Sequence, residues 1–167
     1  MLGIMASPGD TAEAEKLAVE LDKTFPLATL VQRYWLPTIR AAVTLARHDP
    51  SQAIELLKVA STIELSSITA DLTIFLRPVY PRGEAYLMLH EGNAATAEFQ
   101  KFIDHRGVVM NFPWCALARL GLSRAYALQD DTANVQRAYQ GFLTLWKNAD
   151  PDVSVLKQAK AEYARLR

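Results

Sequence analysis

The chain has 167 residues, half of them hydrophobic, with 18 basic and 18 acidic side chains. That length buries a core without staples, and the balanced charge offers no electrostatic footprint for DNA, RNA or an anionic membrane, so no nucleic-acid partner is expected. The lone Cys115 excludes an internal disulfide and leaves the redox compartment open, and the apolar runs are too short and too charged to insert in a membrane. Residues 1–8 lack the basic flank and apolar length of a signal peptide.

In chain order, residues 1–7 read as the tail of a helix and Gly9-Asp10 as the turn after it. Most of the first helix of an opening hairpin is then missing, and the expectation is a piece of a longer protein. A helix over residues 11–25 carries Leu17, Leu21 and Phe25 at four-residue steps. Pro26 closes it, and a helix from about Leu30 to Arg47 follows through Trp35, Ile39 and Val43, with Pro37 expected to kink or restart it. Asp49-Pro50 has the form of a helix start, an aspartate N-cap before a proline whose missing N–H costs nothing there. Ala53, Ile54, Leu57 and Ala60 mark the inward face of the next helix.

Residues 61–73 mix Ser, Thr and β-branched side chains and read as a connector. Helices over about 75–90 and 93–105 are predicted around a Gly92-Asn93 turn, with Gly107 as a left-handed cap. Gly83 and Tyr86 share one face of the first; Ala95, Phe99 and Phe102 share one face of the second. The apolar linker 108–113 is expected to pack on the hairpins, Pro113 to open a helix to about Gln129, and Thr132 to Trp146 to complete that hairpin. Asp150-Pro151 reads as another capped start, for a last helix with Val153, Leu156, Lys160, Tyr163 and Leu166 on one side and Lys157, Glu162, Arg165 and Arg167 on the wet side.

The hairpin recurs. His48-Asp-Pro-Ser-Gln-Ala-Ile-Glu-Leu-Leu57 lies over His90-Glu-Gly-Asn-Ala-Ala-Thr-Ala-Glu-Phe99 without a gap, Leu128-Gln-Asp-Asp-Thr-Ala-Asn-Val135 repeats the turn, and Gly9-Asp-Thr-Ala-Glu-Ala14 does so near the start. The small second-helix residue is Ala14, Ala53, Ala95 and then Val135, at intervals of about 40 residues against the ~34 of a tetratricopeptide repeat (TPR). This small-and-large alternation resembles a TPR hairpin. The expected fold is all-α, a TPR-like right-handed α-solenoid in a single domain. Its hairpins fall at about 1–25, 30–60, 75–105 and 113–147, and a capping helix at 151–166 covers the last apolar face.

Several stretches also resemble the C-terminal repeat region of the bacterial Ser/Thr protein kinases abundant in Acidobacteria. They are residues 25–40, Ala97-Glu-Phe-Gln-Lys-Phe-Ile-Asp-His-Arg-Gly107, Arg124-Ala-Tyr-Ala-Leu128, Tyr139-Gln-Gly-Phe-Leu-Thr-Leu-Trp-Lys-Asn-Ala-Asp-Pro-Asp152 and Leu156-Lys-Gln-Ala-Lys-Ala-Glu-Tyr-Ala164. The resemblance implies a signalling parent with an N-terminal kinase domain, often followed by a membrane span, and leaves open on which side of the membrane this soluble region lies. Related repeats also stand behind winged-helix DNA-binding domains.

Candidate chemistry is sparse. Asp104-His105-Arg106-Gly107 resembles a kinase catalytic loop, but glycine stands where the base belongs, and no Gly-rich loop, Val-Ala-Ile-Lys or Asp-Phe-Gly is present. The three histidines are dispersed, although His48 and His90 take equivalent helix ends, and Cys115 has no neighbouring histidine to activate it. No catalytic residue, metal or cofactor is therefore expected, and the expected function is binding of a protein or peptide in the concave surface.

Aligning the repeats projects Trp35, Thr38 and Ala42, then Arg77, Tyr80 and Glu84, then Leu117, Leu120 and Arg124 onto that surface. Aromatic anchors and arginines are the residue types of binding hot spots, although Trp35, Leu117 and Leu120 fit an ordinary core equally well. The clamp that TPR domains use for acidic chaperone tails is not expected, because Thr38, Ala42, Tyr80 and Leu120 replace its lysines and asparagines. A small-molecule sensor regulating a kinase or transcription regulator is the alternative. A homodimer through the apolar face of the opening hairpin is a further expectation.

Overall fold

The computed structural model describes residues 8–65, 76–109 and 112–166. Among these the chain is all-helical: α1 Pro8–Thr24, α2 Leu36–Ala46, α3 Pro50–Leu57, α4 Val79–Met88, α5 Gly92–Asp104, α6 Arg106–Val109, α7 Trp114–Ala127, α8 Thr132–Leu145 and α9 Ser154–Ala164. A π-helical turn over Val31–Trp35 leads into α2, and a 3₁₀ turn over Lys58–Thr62 follows α3. The chain divides into two compact units, Met1–Leu89 and His90–Arg167. Residues 1–7 and most of the 61–73 connector lie outside the described residues.

In the first unit α2 packs against α1, α3 and α4. Ala41, Ala53, Leu57 and Ala85 form a core cluster, with Leu45, Ile54 and Leu56 against it. The face that α1 buries differs from the predicted one. Ala18 is buried and Ala14 and Leu21 are half-buried, whereas Leu17 and Phe25 are about half exposed, so α1 meets α2 along the Ala14–Ala18–Leu21 stripe. Asp22 and Glu15 anchor that stripe from its edge: Arg40 and Arg47 reach them at 2.7 Å, and Gln32 Nε2 donates to Asp22 at 2.9 Å. These pairs are partly exposed, so they fix orientation more than they add stability.

In the second unit α7 is buried nearly all round, between α5 and α8. Gly121 accepts the ring of Phe99 from α5. Gly92 serves a similar close approach, since a Cβ there would lie 2.9 Å from the Ala125 carbonyl and 3.1 Å from Leu128 Cβ. Gly92-Asn93 is thus the first turn of α5 and not the expected loop; the turn itself is carried by the residues before it.

The turn geometry repeats with the sequence. His48, His90 and Asp130 are all left-handed, with φ of 61°, 59° and 57°. His and Asp tolerate that region better than most side chains. Asp49 N–H donates to Thr44 O and His48 N–H to Leu45 O, and Asp131 and Asp130 N–H donate to Tyr126 O and Ala127 O in the same way. That pair of bonds closes the ends of α2 and α7 in a Schellman motif. The next residue begins the next helix: the Asp49 carboxylate accepts from Gln52 N–H and that of Asp131 from Asn134 N–H. Each such cap contributes about 1 kcal/mol.

Burial keeps the same register. Ala41, Gly83 and Ser123 are buried seven residues before each left-handed position, and Ala53, Ala95 and Val135 five residues after it.

Two expected caps are corrected. Gly107 has a helical φ within α6 and caps nothing in the left-handed region. Asp150 does not cap α9: it accepts from Asp152 N–H in a local turn, and extended Val153 is the residue before the helix. The linker divides, with Val109 buried and Phe112 exposed.

Candidate functional site

Pro37 shapes the first candidate patch. Lacking an N–H, it cannot continue the regular ladder, and the preceding Leu36 N–H reaches five residues back to Val31 O. The wider turn buries Tyr34 while leaving Trp35 partly exposed, with the two rings edge to face at 5.2 Å. Tyr34 Oη accepts from Arg77 N–H at 3.1 Å, fixing the chain just before α4. Leu76, immediately before it, is left-handed at φ 52° and fully buried, a conformation that costs a leucine about 1 kcal/mol or more. The Arg77 guanidinium then lies over the Trp35 ring at 5.3 Å. Burial pushes the Tyr34 hydroxyl up to about 12, against a smaller opposing effect of the Arg77 hydrogen bond and charge.

Behind this patch Arg82 Nη2 donates to Glu64 at 2.6 Å, with both side chains buried, and Arg82 Nη1 reaches Leu57 O. This pair attaches the segment after the 3₁₀ turn to α4. The sequence showed no sign of it, because two charges separated by a connector carry no periodicity.

A second polar cluster joins α7, α8 and α9. Arg124 donates through Nε and Nη2 to the two carboxylate oxygens of Glu162, at 3.0 and 2.9 Å, and Tyr139 Oη donates to Oε2 at 2.8 Å. Burial pushes the Glu162 carboxyl up, but hydrogen bonds from Arg124 and Tyr139 and the Arg124 charge outweigh it, and the net shift is downward. Tyr139 is pushed up to about 12, first by burial and then by its bond to Glu162. Glu162 therefore leaves the wet side where it was expected. The three-residue step from Ala159 on the packed stripe was the signal available.

The projected surface positions divide accordingly. Trp35 and Arg77 meet, and Glu84 is half-buried on α4. Thr38 is buried, with its hydroxyl donating to Tyr34 O at 2.6 Å, and Tyr80 is also buried. In the second unit Leu117 and Leu120 are buried and Arg124 is held by Glu162. Of the projected positions, Ala42 is exposed and Trp35, Arg77, Glu84 and Arg124 are half-buried, while the buried side chains contribute shape from beneath.

Among the described residues no three His, Cys, Asp or Glu side chains converge as metal ligands. Asp104 ends α5 and accepts from Gln100, and His105 and Arg106 belong to the junction with α6. Cys115 Sγ lies 3.5 Å from Phe102 O, and burial raises its thiol pKa despite Arg106 and Arg119, which disfavours the nucleophilic thiolate. No helix among the described residues is long and apolar enough to cross a membrane. Comparison of the chain with protein-family models, curated proteins and solved structures finds no match.

Proposed function

We propose that the chain is a non-catalytic protein-interaction module, a TPR-like right-handed α-solenoid that presents a binding surface and ends in α9 as a capping helix. The recurrence of left-handed turn residues and buried small residues in one register supports the repeat architecture. The observation that carries the binding role is the partly exposed stack of Arg77 on Trp35, held from below by Tyr34. An aromatic ring and a guanidinium pre-placed by buried neighbours lose little entropy on binding, which suits an acidic or aromatic group of a peptide or protein partner. The wider proposal, resting on the sequence resemblance, is that this region is the tail of a bacterial Ser/Thr kinase.

The test compares wild type with a Trp35→Ala/Arg77→Ala variant of unchanged helix content. Recovery of specifically bound protein from source-cell extract should fall at least tenfold; equal recovery would remove this surface. Antiserum to the chain should detect a larger polypeptide that incorporates label from ATP, and a band without phosphotransfer would remove the kinase parent.

One observation favours the small-molecule reading: an open groove of about 650 Å³ against α1, lined by Ala18, Val19, Val43 and Leu56 with Glu15 and Arg40. A thermal-shift screen tests it, since a ligand at ~100 times its dissociation constant adds about 2.7 kcal/mol. Of its polar lining groups, Arg40 and Glu15 are engaged with Asp22 and Arg47 and the Thr44 hydroxyl donates to Arg40 O, which leaves Lys16 and Gln52, and protein binding is the better-supported reading.

A further inference from the structure

We propose that the open side of α1 seats one further helix, supplied by a binding partner, that carries an apolar stripe edged by arginine. This seat, which rests on the repeat-array reading, uses none of the residues of the Trp35–Arg77 surface.

The internal repeats show what belongs on that side. The second helices α3 and α8 pack against the helices before them, α2 and α7. Ala53 and Leu57 of α3 are buried, as are Val135, Ala138, Tyr139 and Phe142 of α8. In α1 the register of those four α8 residues falls on Ala14, Leu17, Ala18 and Leu21. Among the described residues no helix precedes α1, which packs on α2 and the π-helical turn that follow it. That packing buries Ala18 and half-buries Ala14 and Leu21, but Leu17 stays 54% exposed, against 8% for Ala138. Phe25, in the register of Trp146, is also about half exposed. The stripe that α8 buries is open on α1.

Charge selects the occupant. Helical spacing sets Glu15 and Asp22 along one edge of the stripe and Glu13 and Glu20 along the other. On the first edge α2 supplies the counter-charges, Arg47 to Glu15 and Arg40 to Asp22, each at 2.7 Å. On the second edge both glutamates are exposed, and Glu13 meets Lys16 of its own helix at 3.9 Å. The α7–α8 hairpin shows what reaches that edge: a Cβ on Gly141 would stand 3.0 Å from Arg119 Nη1, so the guanidinium of α7 rests on α8 in the register of Glu20. A partner helix lying on α1 as α7 lies on α8 would bring its arginine to the Glu20 carboxylate. A second copy of α1 fits poorly. Antiparallel pairing on this stripe sets Glu13 and Glu20 against themselves, and parallel pairing sets them against Glu15 and Asp22.

The experiment uses the full chain and a labelled peptide of residues 112–130 with Cys115→Ser, a helix of the required type. Binding to wild type should raise the helicity of the peptide and weaken with added salt. Leu17→Asp and Glu20→Lys should each weaken it at least tenfold. Both positions are exposed, so the circular dichroism of the two variants should match wild type. A peptide with Arg119→Glu should reverse the preference, binding Glu20→Lys more tightly than wild type. No binding to wild type, or binding indifferent to Leu17 and Glu20, would overturn the proposal. Concentration-dependent dimers lost in Leu17→Asp would also overturn it, by making a second copy the occupant. Tighter peptide binding after removal of residues 1–7 would do so by making those residues the occupant. Capture from extract depends on Trp35 and Arg77, and the peptide on Leu17 and Glu20, so either reading can fail while the other stands.

Discussion

Two helical glycines provide opposite-signed perturbations of the same chemistry. A Cβ on Gly121 would stand 2.6 Å from Phe99 Cε1 and Cζ and 2.7 Å from Cε2, and Phe99 is fully buried. Carbon atoms pack at about 3.5–4.0 Å, so the ring or the helix must yield by roughly an ångström. Such overpacking costs about 1–3 kcal/mol, while replacing a helical glycine by alanine returns about 1 kcal/mol of backbone propensity. Gly121→Ala should therefore be destabilising by about 1 kcal/mol net. Gly107→Ala meets nothing within 4 Å and has no left-handed φ to forfeit, so it should gain about 0.4–1 kcal/mol. Urea unfolding followed by circular dichroism reads both, with the wild-type midpoint between them. Adding Phe99→Leu to Gly121→Ala should recover part of the loss. Equal midpoints for the two alanine variants would refute the claim that Phe99 is locked over Gly121.

Glu64→Ala removes the carboxylate from buried Arg82 and should cost about 3–5 kcal/mol, read as a fall in urea midpoint; a loss under ~1 kcal/mol would contradict the buried pairing. The pH profile should slope at both ends. Glu162 has a lowered folded pKa, so its contribution is present above its unfolded value of about 4.3 and is lost as pH falls through the folded value, with α9 exchange accelerating in acid. Tyr34 and Tyr139 have folded values raised to about 12, so their contribution is complete below their unfolded value of about 10 and is lost as pH rises from there through 12. Ultraviolet titration of tyrosinate should show Tyr34 and Tyr139 ionising late, and replacing either with phenylalanine should remove one late-ionising group.

Local signals in the sequence carried well into the structure where the cause was itself local. Asp49-Pro50 caps and opens α3, and Ala53 and Leu57 face its core, because capping and helical spacing depend on residues within one turn. Of the Leu17-Leu21-Phe25 stripe only Leu21 is half-buried, for the converse reason: which side of α1 is buried is set by where α2 packs, and that side carries Ala18. Gly92 and Gly107 invited turn assignments, yet the turn residues are His90 in one case and none in the other, since the glycines answer to neighbours or open space that no local pattern encodes.

By itself the sequence determined a helical chain and its spacing of turns, through side-chain periodicity, left-handed-tolerant residues and caps acting over a few bonds. The tertiary structure decided which polar groups are used. Arg77 meets Trp35, Arg82 meets Glu64 and Arg124 meets Glu162 across 38 residues of chain. Such pairs depend on distance in space between elements, and a charge carries no mark of its partner until packing places the two together.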